Sequence, residues 1–254
     1  MVDQPVESVL RALSLLRELN RQRVTTVGDL HRVTGLPKPT IVRLLATLCE
    51  AQYVVNDRRQ GGYHVTSNVK ALSCGYHGDP LVVEAARPWA IDFTRQHRWP
   101  IAVATFERDA MVVRFSTIPD SPVSPFHGTV NLRLDLLSRA LGRAYLAFCS
   151  DKERSFLLDV LEIDDPAERQ SNLAMLGRVR RAGFAVRDAH VEPRTSNTIA
   201  VPIQRDGRIL ATVGVTYFVS AHPLPRAVSH FVPLLHELSQ RIGESVAGLE
   251  APAL

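Results

Sequence analysis

The chain has 254 residues, 45% of them hydrophobic and 22% charged, enough for one or two packed domains. It contains no unbroken apolar run of about eighteen residues, and its N-terminal stretch lacks a basic segment followed by an apolar block, so neither a membrane-spanning helix nor a signal peptide is expected. The formal charge of +4 is unevenly placed: residues 1–70 hold ten Lys/Arg against six Asp/Glu, whereas residues 71–254 hold twenty of each, and a local basic excess of this kind draws a protein toward phosphates.

In chain order, Val6, Val9, Leu10, Leu13, Leu16 and Leu19 predict an amphipathic first helix that packs beneath the elements after it. Thr26 caps a second helix, with Asp29 completing a capping box, and Val27, Leu30 and Val33 continue it to a turn at Gly35. Pro39 stands where the first residue of a third helix tolerates proline. On that helix Ile41, Leu44, Leu45 and Leu48 form one apolar stripe, and Thr40, Arg43 and Thr47 share the opposite face. Two β-prone runs, 53–56 and 63–66, then flank Asp57-Arg58-Arg59-Gln60-Gly61-Gly62, a hairpin with a basic tip.

This is the pattern of a winged helix-turn-helix, and its polar third helix and basic hairpin suit double-stranded DNA. Lys38, Thr40, Arg43 and Thr47 are the candidate major-groove contacts, because an arginine there can pair bidentately with guanine. Arg58 and Arg59 at the hairpin tip are placed for the backbone or minor groove, and Thr26 for a phosphate as well as its cap. Arg21 and Arg23 are secondary candidates.

Residues 67–77 form a connector, and Asp79-Pro80 opens a helix to about Arg98, bent near Pro88. Strands are expected at 101–106 and 111–117, with a proline-rich loop at 119–125 after them. Residues 134–149, 152–161 and 166–182 are expected as helices, with Gly183 as a stop before a strand at 184–188. Residues 199–204 and 209–219 form a hairpin across Asp206-Gly207. A last helix carries Phe231, Leu234, Leu235, Leu238, Ile242 and Val246 on one face. Strands and helices mix without strict βαβ alternation, which predicts an α+β sensor-like domain. The three cysteines, Cys49, Cys74 and Cys149, are scattered and odd in number, as expected of reduced thiols in a cytoplasmic protein, and the nine histidines show no metal-ligand spacing. No metal or cofactor is expected.

The N-terminal pattern resembles that of the IclR family of bacterial transcription regulators. So do Arg133-Leu134 with Ala140-Leu141-Gly142-Arg143-Ala144-Tyr145-Leu146-Ala147, residues 178–184 with Ile199-Ala200-Val201-Pro202-Ile203, and the strand 211–216. The resemblance implies a winged DNA-binding domain (1–66), a linker helix (67–79) and a GAF-like α/β domain (80–254) that binds an effector and forms dimers or tetramers. Trp99-Pro100, residues 110–114, Phe126-His127, residues 147–149 and Val219-Ser220-Ala221 are similar to the branch that includes the activator of hydroxyphenylpropionate catabolism, which implies an aromatic acid as effector.

By position, the resemblance implies that Leu134, Leu136, Ala140, Leu141, Asp188, Thr198, Gly214 and Thr216 line the effector cavity. Gly214 and Thr216 match positions where small-acid sensors carry serines; a glycine removes a hydrogen-bonding group and predicts space for a bulkier ligand. The same leucines and alanines also read as plain core. A carboxylate needs cations or convergent N–H donors: Arg133 and His127, beside Phe126, are the candidates, with Arg114 behind them and backbone N–H groups near Ala140 as the alternative. Three functions compete: a ligand-responsive transcription factor on operator DNA, with RNA polymerase a further partner; an enzyme acting on a small aromatic acid; and an effector-independent architectural DNA-binding protein. No nucleophile elbow, phosphate-cradling loop or metal cluster favours the enzyme.

Overall fold

The computed structural model describes residues 5–22, 24–57, 59, 61–72, 74, 80–125 and 128–250. Arg23, Arg58, Phe126 and His127 lie outside this set, as do several connector residues. The chain divides into two compact units, the first reaching residue 78.

The first unit begins with helix α1 (Glu7–Leu19), then α2 (Val27–Thr34) and α3 (Lys38–Glu50). The capping box is present: Asp29 N–H donates to Thr26 Oγ1 at 3.1 Å, and Thr26 N–H donates to Asp29 Oδ2 at 3.3 Å. Gly35 ends α2 in the left-handed region at φ 69°, and Pro37 caps α3 with Pro39 one position further in than expected. Leu15, Leu16, Leu19, Leu30, Ile41, Leu45 and Val54 form the core of this unit. The first helix therefore packs through its C-terminal half, and Val6, Val9, Leu10 and Leu13, expected on the packed face, are 50–64% exposed. Helix α2 has eight residues, about 12 Å, and is too short to cover the thirteen-residue α1, about 20 Å.

Strands β1 (Val54–Asp57) and β2 (Gly62–Val65) form the expected hairpin, with Asp57 opposite Gly62. Thr25 and Tyr63 exchange N–H···O bonds of 2.9 Å that fasten the hairpin to the start of α2. Gly62 permits this, because a Cβ there would lie 2.5 Å from Val24 Cγ1 and 3.0 Å from Thr25 O. A four-residue helix, α4 (Asn68–Ala71), occupies part of the connector.

The second unit runs α5 (Leu81–His97), β3 (Ile101–Glu107), β4 (Ala110–Ser116), a single 3-10 turn (Ile118–Asp120) and β5 (Arg133–Leu134), then α6 (Ala140–Phe148), α7 (Asp151–Val160) and α8 (Pro166–Ala182). It ends with β6 (Ala185–Val186), β7 (Ser196–Arg205), β8 (Arg208–Phe218) and α9 (Leu224–Glu250). The strands form one antiparallel sheet in the order β5-β4-β3-β8-β7-β6. Pro88 lies inside α5 without ending it. The β7–β8 turn has Asp206 at φ 49° and Gly207 at φ 73°, both left-handed as a two-residue hairpin requires.

The sheet's two faces differ. Ile101, Val103, Ile199, Val201, Val213, Val215 and Tyr217 pack against Ala86, Ala90 and Phe93 of α5 and Phe231, Leu235 and Ile242 of α9. The opposite face carries small residues, among them Ala102, Ala104 and Ala200, beneath Leu141, Ala144 and Tyr145 of α6.

Two expectations need correction here. Spacing predicts one helix over residues 134–149, but Arg133 and Leu134 form an edge strand against Val112 and Met111, and the helix begins at Ala140. The Asp135 side chain accepts from the N–H groups of Leu137 (3.0 Å) and Ser138 (2.6 Å), which turns the chain between strand and helix. The strand expected at 184–188 is reduced to Ala185–Val186 because side-chain bonds divert the backbone after it. Helix α6 then lies directly on that turn: a Cβ on Gly142 would sit 2.4 Å from Asp135 O and 2.5 Å from Leu136 Cα. Gly142→Ala is expected to destabilise the chain by about 1–3 kcal/mol through this overpacking. Denaturant unfolding checks it, and an unchanged midpoint would show that α6 can stand off from the turn.

Candidate DNA interface and effector face

Helix α3 is anchored by Ile41 and Leu45, both fully buried, and this fixes which side faces outward. Lys38, Arg43 and Thr47 are exposed and Thr40 is half-buried on its outer side. Thr47 Oγ1 donates back to Arg43 O at 3.1 Å. Among the described residues neither Lys38 nor Arg43 has an ion-pair partner, whereas Arg32 on α2 is held by Asp29 at 2.5 Å. Thr26 is exposed but its hydroxyl is engaged by Asp29 Oδ2 at 2.7 Å. At the hairpin tip Arg59 is exposed, and its backbone N–H donates to Asp57 Oδ1 at 2.8 Å. Arg58 lies outside the described residues.

On the second unit, the residues implied for an effector cavity converge on the α6 face only in part. Leu134, Leu136, Ala140 and Leu141 are buried in the cluster between sheet and α6. Thr198 and Thr216 stand opposite each other on β7 and β8, hydroxyls 3.1 Å apart. Gly214 opens no space, contrary to the expectation: a Cβ there would meet Ile199 O at 2.9 Å, Ala200 Cβ at 3.1 Å and Leu141 Cδ2 at 3.3 Å. The glycine is needed chiefly because the Ile199 carbonyl of the neighbouring strand stands too close for a Cβ, with Leu141 of α6 filling the room above. Phe126 and His127 lie outside the described residues.

The expected carboxylate partners are also committed elsewhere. Arg133 is exposed and pairs with Asp109, and Arg114 pairs with Glu107. Asp188 is bonded to Arg143 (2.5 Å) and accepts from the backbone N–H of His190 (2.9 Å), with the His190 ring at 3.0 Å. Arg143 Nη1 donates in turn to Val186 O at 3.1 Å, so this arginine ties α6 to the strand end. The His190 N–H first, then the His190 ring and Arg143, hold the Asp188 carboxyl at about 2, below its ordinary 3.8.

Two groups beyond the residues implied for the cavity also lie here, Thr212 on the strand face that Gly214 and Thr216 share and Arg187 at a strand end. Thr212 on β8 is fully buried, and its hydroxyl has no partner among the described residues. Arg187, next to Asp188, is 6% exposed. An arginine at a strand end reads as a solvated terminus, so only the loop that returns over it reveals its burial. Among the described residues no group of three His, Cys, Asp or Glu side chains is placed to hold a metal ion, the three cysteines are free thiols, and no helix is long and apolar enough to cross a membrane.

A helix-turn-helix with an outward cationic helix is joined in this chain to an α/β domain with a six-stranded sheet, an arrangement suited to a transcriptional regulator. Residues 8–58 match the IclR helix-turn-helix domain. The chain is similar to the HTH-type transcriptional regulator KdgR of Escherichia coli K12, 22% identical over 253 residues that cover 97% of this chain and 95% of that one. It also superposes on a solved structure from Rhodococcus sp. RHA1, described as a transcriptional regulator, with a TM-score of 0.65, 25% identity, and coverage of 97% and 100%. An IclR homologue from Microbacterium hydrocarbonoxydans, solved with 4-hydroxybenzoate, superposes with a TM-score of 0.58, 17% identity, and coverage of 95% and 99%. The match to an IclR helix-turn-helix is thus confined to residues 8–58, and the relatives similar over most of the chain, KdgR and XynR of Escherichia coli K12, are HTH-type transcriptional regulators.

The Asp188 geometry carries a pH signature. A carboxyl whose folded value is depressed contributes stability that is full above about pH 4 and is lost as pH falls toward 2. Asp188→Asn should therefore lower the melting temperature at pH 7, and its gap to the parent should close between pH 4 and 2. A gap that stays constant with pH would show that the charge on Asp188 is not what holds the α6 junction.

Proposed function

We propose that the outer face of α3 enters the major groove of operator DNA, with Lys38, Thr40, Arg43 and Thr47 as its contacts. The single observation that carries this is a helix locked by Ile41 and Leu45 whose exposed cations have no protein partner among the described residues. Arg59, with Arg58 beside it, meets the backbone or minor groove, and Thr26 approaches a phosphate. In this reading residues 1–66 bind DNA, 67–79 link, and 80–254 bind an effector and oligomerise. The exposed stripe Val6, Val9, Leu10 and Leu13 supports a homodimer or tetramer, because contiguous exposed apolar surface marks an interaction site.

The effector is a small carboxylic acid of the aromatic class, and the regulated genes serve aromatic catabolism. Support comes from the 4-hydroxybenzoate held by the Microbacterium hydrocarbonoxydans homologue and from the hydroxyls of Thr198, Thr212 and Thr216 among small apolar residues. The filled space above Gly214 removes one argument for ligand size, so the aromatic class rests on these other observations. Effector binding shifts operator affinity, or recruitment of RNA polymerase, by the difference in its affinity for the two states.

Arg43→Ala should weaken operator binding by roughly 1–3 kcal/mol with no change in melting temperature, as loss of one base-edge contact does. Unchanged affinity in a gel-shift titration would displace the recognition face from α3. A melting screen of the full chain should find stabilisation by hydroxybenzoates, cinnamates or phenylpropionates, about 2.7 kcal/mol at 100 times the dissociation constant. A response confined to glyoxylate or pyruvate would overturn the aromatic assignment.

A further inference from the structure

Arg187 is the one charged side chain among the described residues that is buried. A buried charge is expensive unless it is paired and fully hydrogen-bonded. Arg187 meets neither condition: Nη2 donates to the carbonyl oxygens of Pro193 (2.7 Å) and Ser196, and Nε has no partner among the described residues. The nearby acid, Glu192, is 71% exposed and pairs with Arg194 at 3.0 Å.

A second arginine aggravates this. Arg139, the N-cap residue of α6, is half-buried and has no ion pair or side-chain hydrogen bond among the described residues. The Asp188 N–H donates to Ser138 O at 2.8 Å, which sets Arg139 beside Arg187, and the Arg139 charge, after burial itself, weakens Arg187's hold on its proton. Elsewhere in this region an arginine that ties elements together takes an acid, as Arg143 takes Asp188. Arg139 and Arg187 instead bring two positive charges together with no carboxylate in ion-pair contact with either among the described residues, Glu192 favouring the Arg187 charge only from a distance.

Their position gives the arrangement a use. Arg187 N–H donates to Thr198 O at 3.1 Å, beside the Thr198–Thr216 pair, and Arg139 opens the helix whose Leu141 covers Gly214. Both therefore border the α6 face of the sheet. We propose that Arg139 and Arg187 form an anion-binding corner that takes the carboxylate of the effector, two guanidiniums sharing one negative group. The identity of that carboxylate rests on the effector reading given above, whereas the corner itself requires only an anion. A purely structural role, Arg187 bracing the 193–196 loop through Nη2, has no use for Arg139.

The test is the melting temperature and calorimetric affinity of the full chain, without DNA and at fixed ionic strength. The probes are 4-hydroxybenzoate, 3-phenylpropionate, their primary amides, acetate and sulfate, applied to the parent, Arg139→Gln and Arg139→Lys. The expected result is binding of the acids but not the amides, weakened at least tenfold by Arg139→Gln and partly restored by Arg139→Lys. Ligand-free Arg139→Gln should melt no lower than the parent, because it removes a repulsion. Acid binding left unchanged by Arg139→Gln overturns the corner and leaves the effector reading intact. Stabilisation by acetate and sulfate alone, lost in Arg139→Gln, upholds the corner and defeats the aromatic effector. A parent indifferent to every anion overturns the corner outright. Arg139 is the variant of choice because replacing the buried Arg187 also removes the carbonyl bonds that shape its loop.

Discussion

Helix α6 lies as close to its neighbours as two glycines allow, and the arrangement of the second domain follows from that contact. Gly142 admits the backbone of the 135–136 turn, and Gly214 admits Leu141 to the surface of β8. Interiors packed to crystal-like density transmit such constraints, since neither neighbour can retreat without opening a void. With α6 fixed at both points, Arg143 reaches Asp188 and Val186 O at the end of β6, and the Asp188 N–H bond to Ser138 O brings Arg139 beside Arg187. The small residues on that face of the sheet, Ala102, Ala104 and Ala200, are the complement of this approach, just as the branched residues on the other face are the complement of α5 and α9.

In the first unit the organising feature is how charge is spent. Around α1 and α2 most cations sit beside acids close in sequence: Arg11 with Glu7, Arg21 just past α1 with Glu18, and Arg32 with Asp29, Arg17 being the exception among the described residues. Exposed pairs of this kind contribute about 0.3–0.5 kcal/mol each and mainly neutralise their surface. Helix α3 lacks this compensation, its acid Glu50 lying at the far end from Lys38. Lys38 and Arg43 therefore stand as uncompensated charge on the outer side of a helix whose inner side is anchored by Ile41 and Leu45.

What was legible in the sequence is what short-range chemistry dictates. The Thr26–Asp29 box, the left-handed Gly35 and the Asp206-Gly207 turn each need specific residue types at fixed spacing, and each is present. The apolar stripe of α3 was legible for the same reason, but that of α1 only in part. Periodicity identifies an apolar face without saying how far a partner extends along it, so Val6, Val9, Leu10 and Leu13 were assigned to a core that ends before them. The Arg133–Leu134 strand was hidden because two residues carry no period, and its existence depends on β4 far off in sequence. Gly214 shows a different limit. A missing side chain implies space only if nothing else occupies it, and here the Ile199 carbonyl and Leu141, seventy-three residues earlier in the chain, do.

The same limit concealed Arg187, whose burial depends on the loop that returns over it. Its closeness to Arg139 bears on how a ligand could act as a switch. A ligand moves an equilibrium only by binding one arrangement better than another. An anion shared by two guanidiniums gains most where the two stand together, because there it both forms its own charge-assisted bonds and relieves their repulsion. An arrangement that separates the start of α6 from the end of β6 would offer it one guanidinium and no repulsion to relieve. The like-charge contact that is unfavourable in the free protein is thus the term that differs between arrangements, and a differential term is what regulation requires. An acidic partner built into the chain at this point would stabilise the domain and remove that difference.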